Sequence, residues 1–154
     1  MKFWWLMVFL CLPACVSRKG EAFTAPPPGT MDMVRFCRQN EGKKVGDGEC
    51  WALANESFRA AGKKRPGRDL RVWGRLVDHE RERVQAGDVI EFQNAYFSER
   101  ILTGPNHTAV VIQSGPGKRF TVAEQKFNRQ KKVSFREMSL DTLVSGNVQV
   151  YRPE

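Results

Sequence analysis

The sequence predicts an α+β domain whose helices precede an antiparallel sheet, and three observations predict it. Apolar residues recur at helical spacing early in the folded part, they alternate at strand spacing later, and Gly-rich turns separate the later runs. At 154 residues there is room for one compact domain with one core. Hydrophobic residues make up 41% and charged residues 27%, which excludes disordered, collagen-like and multi-span membrane chains.

The first fifteen residues read as an export signal. Met1-Lys2 precedes the apolar run Phe3 to Leu12, and a run of about 10 residues is too short to cross a bilayer of roughly 30 Å as a helix. Leu12-Pro13-Ala14-Cys15 resembles the lipobox of bacterial lipoproteins, in which cleavage leaves a lipidated cysteine, here Cys15. An ordinary cut between Ala14 and Ala25 is the competing reading. Either way the chain is expected outside the cytoplasm, in the periplasm or cell envelope, with membrane contact only through a lipid anchor. Residues 16–29, with Pro26-Pro27-Pro28, read as an extended tether, and the folded domain as residues 30–154.

Thr30 is expected to cap a helix over Met31 to Gln39, and Asp47-Gly48-Glu49 announces a second. In the second, Cys50, Leu53, Ala54, Ser57, Phe58 and Ala61 form one inward stripe, and Gly62 supplies a stop. Cys50 therefore opens a buried-face helix. Short apolar pieces follow at Leu70 to Trp73 and Leu76-Val77. Ala86-Gly87-Asp88 is a turn into a strand at Val89 to Phe92, Gln93 to Asn106 reads as an irregular loop, and Thr108 to Gln113 is a strand. Phe120 and Val122, Val133 and Phe135, then Val148 and Val150 alternate as strands do.

Cys37 and Cys50 lie in the domain, and two readings compete for them. Export favours a Cys37–Cys50 disulfide. Against it, a helix start offers N–H groups and a dipole that lower a thiol's pKa, so Cys50 suits a nucleophile while Cys37 suits packing. Of the two histidines, His79 sits in a charge run that reads as solvated surface, whereas His107 opens an apolar strand and can serve as a base.

Gly46-Asp47-Gly48-Glu49-Cys50-Trp51-Ala52-Leu53, Ala86-Gly87-Asp88-Val89-Ile90-Glu91-Phe92, His107-Thr108-Ala109-Val110-Val111 and Val122-Ala123-Glu124-Gln125 together resemble the CHAP and NlpC/P60 families of papain-like cysteine peptidases and amidases. The resemblance implies a papain-like fold with Cys50 as nucleophile, His107 as general base and a polar residue on the next strand to orient the imidazole. Glu124 matches that third position and Gln125 is its alternative, because period-two alternation puts only one of them beside His107. The chain departs from the families twice. Lys126 stands where CHAP sequences typically carry Asn, and Glu49 stands where papain-like enzymes often carry a Gln that helps to bind the oxyanion. An ionised carboxylate cannot donate that bond, which leaves backbone N–H groups of Cys50 or Trp51 for the task.

The implied reaction is acyl transfer on an amide, with peptidoglycan as substrate, cut within the stem peptide or between glycan and peptide. No cofactor or metal is expected, since the sequence lacks zinc-knuckle and His-Glu-x-x-His patterns. The net charge of +8 favours an anionic partner such as an envelope polymer. Lys63-Lys64-Arg65-Arg68 and Lys126-Arg129-Lys131-Lys132 either hold such a polymer or are solvated surface. Nucleic acid is not expected, because aromatic residues do not interleave the basic runs. Tyr96 and Phe97, in the expected loop, are candidates for a substrate groove; Trp51 and Trp73 are weighed as groove or core. A monomer is expected. The alternative to a hydrolase is a catalytically silent wall-binding or envelope-structural domain on the same scaffold, and a hydrolase delivered as a toxin would read the same.

Overall fold

A computed structural model describes residues 26–67 and 69–154. The expected signal, the candidate lipidation site Cys15, most of the tether and Arg68 lie outside the described residues. The element order is α1 (Thr30–Gln39), α2 (Cys50–Ala60), β1 (Arg75–Val77), β2 (Val89–Phe97), β3 (Ile101–Leu102), β4 (His107–Ser114), β5 (Arg119–Glu124), β6 (Ser134–Ser139) and β7 (Leu143–Arg152). The strands form one antiparallel sheet in the order β1-β7-β2-β4-β5-β6, with β3 paired to β2. This is the expected α+β architecture, and both helices lie on the same side of the sheet.

On α1 the apolar spacing buries Met33, Val34 and Cys37. Thr30 is not its cap. Its hydroxyl donates to the Pro27 carbonyl at 2.7 Å, and Gly29, at φ 80°, occupies the capping position. Thr30 is instead a buried first residue against which the turn before β2 packs. A Cβ on Gly87 (φ 93°) would come within 2.4 Å of the Thr30 Cβ, so this turn needs glycine both for its backbone angle and for the close approach.

Helix α2 buries Ala52, Leu53, Ala54, Ser57 and Phe58 and ends in a reversal at Gly62 (φ 65°), whose successor Lys63 donates its N–H to the Phe58 carbonyl. These residues meet the α1 face, Val89, Val110, Ile112, Ala123, Tyr151 and Trp73 in one cluster. The other face of the sheet builds a second cluster from Ile90, Phe92, Phe97, Ala109, Val111, Phe120, Val122, Val148 and Val150. Because both faces of the central strands are covered, β4 reads as a continuous apolar run, and Val110 and Val111 are equally buried.

The expected irregular loop at Gln93 to Asn106 is corrected. β2 continues through it to Phe97 and turns back as β3, with Tyr96 opposite Leu102. A residue at positive φ, Asn94 (49°), interrupts the pairing with β7 and re-aims the strand, so Ala95 and Phe97 enter the core.

Candidate active site

The loop Val45–Glu49 delivers the chain to α2. The Asp47 carboxylate accepts the Glu49 N–H at 2.9 Å, bending the chain so that Cys50 becomes the first helical residue. Gln125, the residue that follows β5, clamps this loop. Its Oε1 accepts the Val45 N–H at 2.8 Å, and its Nε2 donates to the carbonyls of Val45 and Glu49, both at 3.0 Å. Gln125 is thus turned to the helix side of the sheet, and alternation sends Glu124 to the other side.

There Glu124 meets His107. Nε2 of His107 lies 2.8 Å from Oε2 of Glu124, and both side chains are buried. With Nε2 facing the carboxylate, the other ring nitrogen is left for the Cys50 sulfur, and the two groups interact. Residues 50, 107 and 124 therefore converge at the end of the sheet where α2 begins.

The electrostatics of this group favour charge separation. Burial raises the Cys50 pKa, but the His107 hydrogen bond and charge, with the backbone N–H groups of Thr108 and Trp51, bring it below its ordinary value. Burial alone would lower the His107 pKa; bonds to Cys50 and Glu124 outweigh it and push it up to about 9. Burial likewise opposes ionisation of Glu124, yet the Arg136 and His107 bonds hold its pKa below the usual carboxylate value. All three shifts run toward a thiolate, an imidazolium and a carboxylate. Cys37 contrasts with them. It is buried and free, and burial pushes its thiol up to about 12. The expected alternative of a Cys37–Cys50 bridge is not formed, since both sulfurs are free.

Arg136 is a site residue that the sequence reading missed. From β6 its Nε donates to Oε1 of Glu124 at 2.6 Å and its Nη2 to Oε2 at 2.9 Å, a two-pronged grip on the carboxylate that orients His107. The same guanidinium lies 4.3 Å from the Phe127 ring centroid, and that ring sits 6.0 Å from the imidazole. Glu91 was also missed. Its Oε1 accepts from Trp73 Nε1 at 2.6 Å and from Thr108 Oγ1 at 2.8 Å, and burial raises its pKa. It thereby holds the residue whose N–H reaches the Cys50 sulfur. Neither role had a local signal, because each depends on strand pairing.

The groove candidates separate. Trp73 is fully buried against Phe58, with ring centroids 5.4 Å apart, so its indole is core. Phe97 is buried against Phe92 at 6.1 Å and cannot line a groove. Tyr96 is 37% exposed but lies four residues beyond Phe92, the register partner of His107, roughly 13 Å further along the strand. Trp51 is 40% exposed beside Cys50. His79 is remote from the site and beside Glu80, its Nδ1 3.6 Å from the carboxylate. Among the described residues, no three His, Cys, Asp or Glu side chains are grouped so that they could hold a metal.

Fold and site geometry define a papain-like cysteine proteinase fold. The chain belongs to the AIM3/BBC1 cysteine proteinase-fold domain family, whose model matches residues 30–154. Altered inheritance of mitochondria protein 3 of Debaryomyces hansenii is 29% identical over 136 residues, a match covering 73% of this chain and 14% of that protein. Two crystal structures of Ly7917, one with the hydrolyzing product of MDP, share the fold with a TM-score of 0.53 at 18% identity, covering 80% of this chain and 62% of theirs. The chain thus spans a minor part of the curated relative and less than two thirds of the Ly7917 chain.

Proposed function

We propose that this domain is a thiol hydrolase of amide bonds. The observation that carries the reading is the chain of contacts Cys50–His107–Glu124–Arg136, in which Arg136 and His107 favour the ionised Glu124, and Glu124 and Cys50 favour the charged His107. In the proposed cycle the Cys50 thiolate attacks the amide carbon and the C=O π pair moves to oxygen. The intermediate collapses as the C–N bond breaks, with His107 giving its proton to the leaving amine. Water, deprotonated by His107, then attacks the thioester and releases the acid and the free Cys50. Glu124 keeps the imidazole oriented and stabilises its positive charge throughout.

The finer reading is an exported enzyme acting on peptidoglycan as endopeptidase or amidase. It draws support from the export-like first fifteen residues, the basic charge and the hydrolyzing product of MDP named for one Ly7917 structure. A silent envelope scaffold is the second reading. It is favoured by the 4% exposure of His107 beneath Phe127, which narrows access to the base.

Muropeptide release from purified peptidoglycan by the native protein and by Cys50→Ala separates the two. Release that disappears with Cys50 supports the hydrolase. Binding to the polymer without any release by either protein supports the scaffold.

A further inference from the structure

The two departures from the family pattern, Glu49 and Lys126, are partners in space. Lys126 Nζ is ion-paired with Glu49 Oε2, and Lys131 Nζ lies 3.5 Å from Glu49 Oε1. The pairing is built into the backbone. Lys126 directly follows Gln125, whose amide grips the Val45 and Glu49 carbonyls, and it adopts the left-handed region (φ 65°) while its N–H donates to the Gln130 carbonyl at 2.7 Å. Gly48 (φ 87°) makes room on the other side, since a Cβ there would come within 2.9 Å of the Lys131 Cβ. Lys44 Cε would lie 3.2 Å from the same position, so a third lysine borders the loop.

Glu49 immediately precedes the nucleophile. Left alone, its carboxylate would oppose the negative charge that acyl transfer develops at Cys50. Two lysines on one carboxylate reverse that sign. The Lys126 side chain is 46% exposed, so its ammonium remains within reach of a substrate, and the Cys50 charge is felt at Lys126.

Resting on the proposed hydrolase function, we infer that Lys126, aimed by Glu49, is a further catalytic residue: its ammonium donates to the acyl oxygen of the tetrahedral intermediate formed on Cys50. It occupies the role that a neutral amide side chain before the nucleophile would otherwise fill, and Glu49 serves as its anchor. The substrate class is any acyl compound attacked at a carbonyl, whereas a displacement at saturated carbon builds no oxyanion and gains nothing from Lys126.

That difference provides the test. The full-length protein is reacted in parallel with p-nitrophenyl acetate, where sulfur attacks the carbonyl, an oxyanion forms and p-nitrophenolate leaves, and with iodoacetamide, where sulfur displaces iodide without an oxyanion. Cys50→Ala sets the background for both. Lys126→Met is expected to slow acylation by roughly 100-fold while alkylation stays within about threefold. Lys126→Arg should keep most of the acylation rate. Adding Glu49→Gln to Lys126→Met should restore about tenfold, because the new amide donates where the carboxylate could not. Acylation unchanged in Lys126→Met, or both reactions slowed equally, overturns the inference. Native Cys50 inert to both reagents is the distinct failure of the hydrolase reading itself.

Discussion

The carboxylate of Glu124 is shared: Oε2 lies 2.8 Å from His107 Nε2 and 2.9 Å from Arg136 Nη2, while Oε1 takes the Arg136 Nε at 2.6 Å. One buried anion thus orients the imidazole and is itself held ionised by a guanidinium. The same arrangement sets the reactivity of Cys50 and the pH range in which the site is intact.

Glu124→Gln removes the charge and keeps the shape. The imidazolium loses one of its stabilising partners, so the His107 pKa falls from about 9 and the thiolate loses its counterion at neutral pH. Amide hydrolysis is expected to drop by about 100-fold or more. The pH profile of Cys50 alkylation, measured on the purified variant, should move its rising limb to higher pH.

Arg136→Met takes from the buried Glu124 carboxylate one of its two cationic partners and leaves Oε1 without its Arg136 donor. Breaking such a pair costs on the order of 3 kcal/mol, and a destabilisation of that size is expected in urea unfolding. Arg136→Lys keeps the charge but not the two-pronged geometry, so it should recover part of the stability. Equal stability of all three proteins would remove Arg136 from the site.

The pH dependence of stability carries a definite sign. His107 has a folded-state pKa raised to about 9 from about 6.5, so its contribution is complete below pH 6.5 and is lost as pH rises through 9. Glu124 is shifted the other way, and its contribution, present above its ordinary pKa, is lost as pH falls through the depressed one. Cys50, its pKa lowered by the same contact, contributes in the opposite sense over this range, so thermal unfolding of Cys50→Ala between pH 5 and 10, with that opposing shift removed, should show Tm declining above about 6.5, and adding His107→Ala should make the decline shallower.

Gln125→Leu leaves the Val45 N–H buried without its acceptor and frees the Glu49 carbonyl. A loss of about 2 kcal/mol is expected, together with slower Cys50 alkylation, because the loop that leads into Cys50 is no longer tied to the end of β5. Hydrogen exchange at Val45 reports the release directly.

Much of this was legible in the chain, and the gaps have physical causes. Cys50 stood out because a helical stripe begins at it, and His107 because it opens an apolar strand. Glu124 and Gln125 could not be separated because β4 and β5 change register between Val111 and Gln113, and a one-residue shift exchanges the faces of every residue beyond it. The Gln93–Asn106 stretch read as a loop because the irregularity at Asn94 breaks the alternation of a strand that in fact continues. Arg136 was invisible for another reason: only the pairing of β5 with β6, which sets Val122 opposite Arg136 and Glu124 opposite Ser134, brings its guanidinium to the carboxylate. Trp73 turned inward because its N–H finds Glu91, a partner eighteen positions away that no local pattern reveals.

The most direct measurement is the pH–rate profile of iodoacetamide labelling at Cys50, with Cys37 in the same molecule as the internal reference. Labelling of Cys50 whose rising limb lies at lower pH than that of an isolated thiol, with Cys37 untouched until the protein unfolds, is the expected result. Cys50 labelling that rises only above pH 8.5, as for an isolated thiol, or no faster in the native protein than in His107→Ala, would contradict a thiolate–imidazolium site.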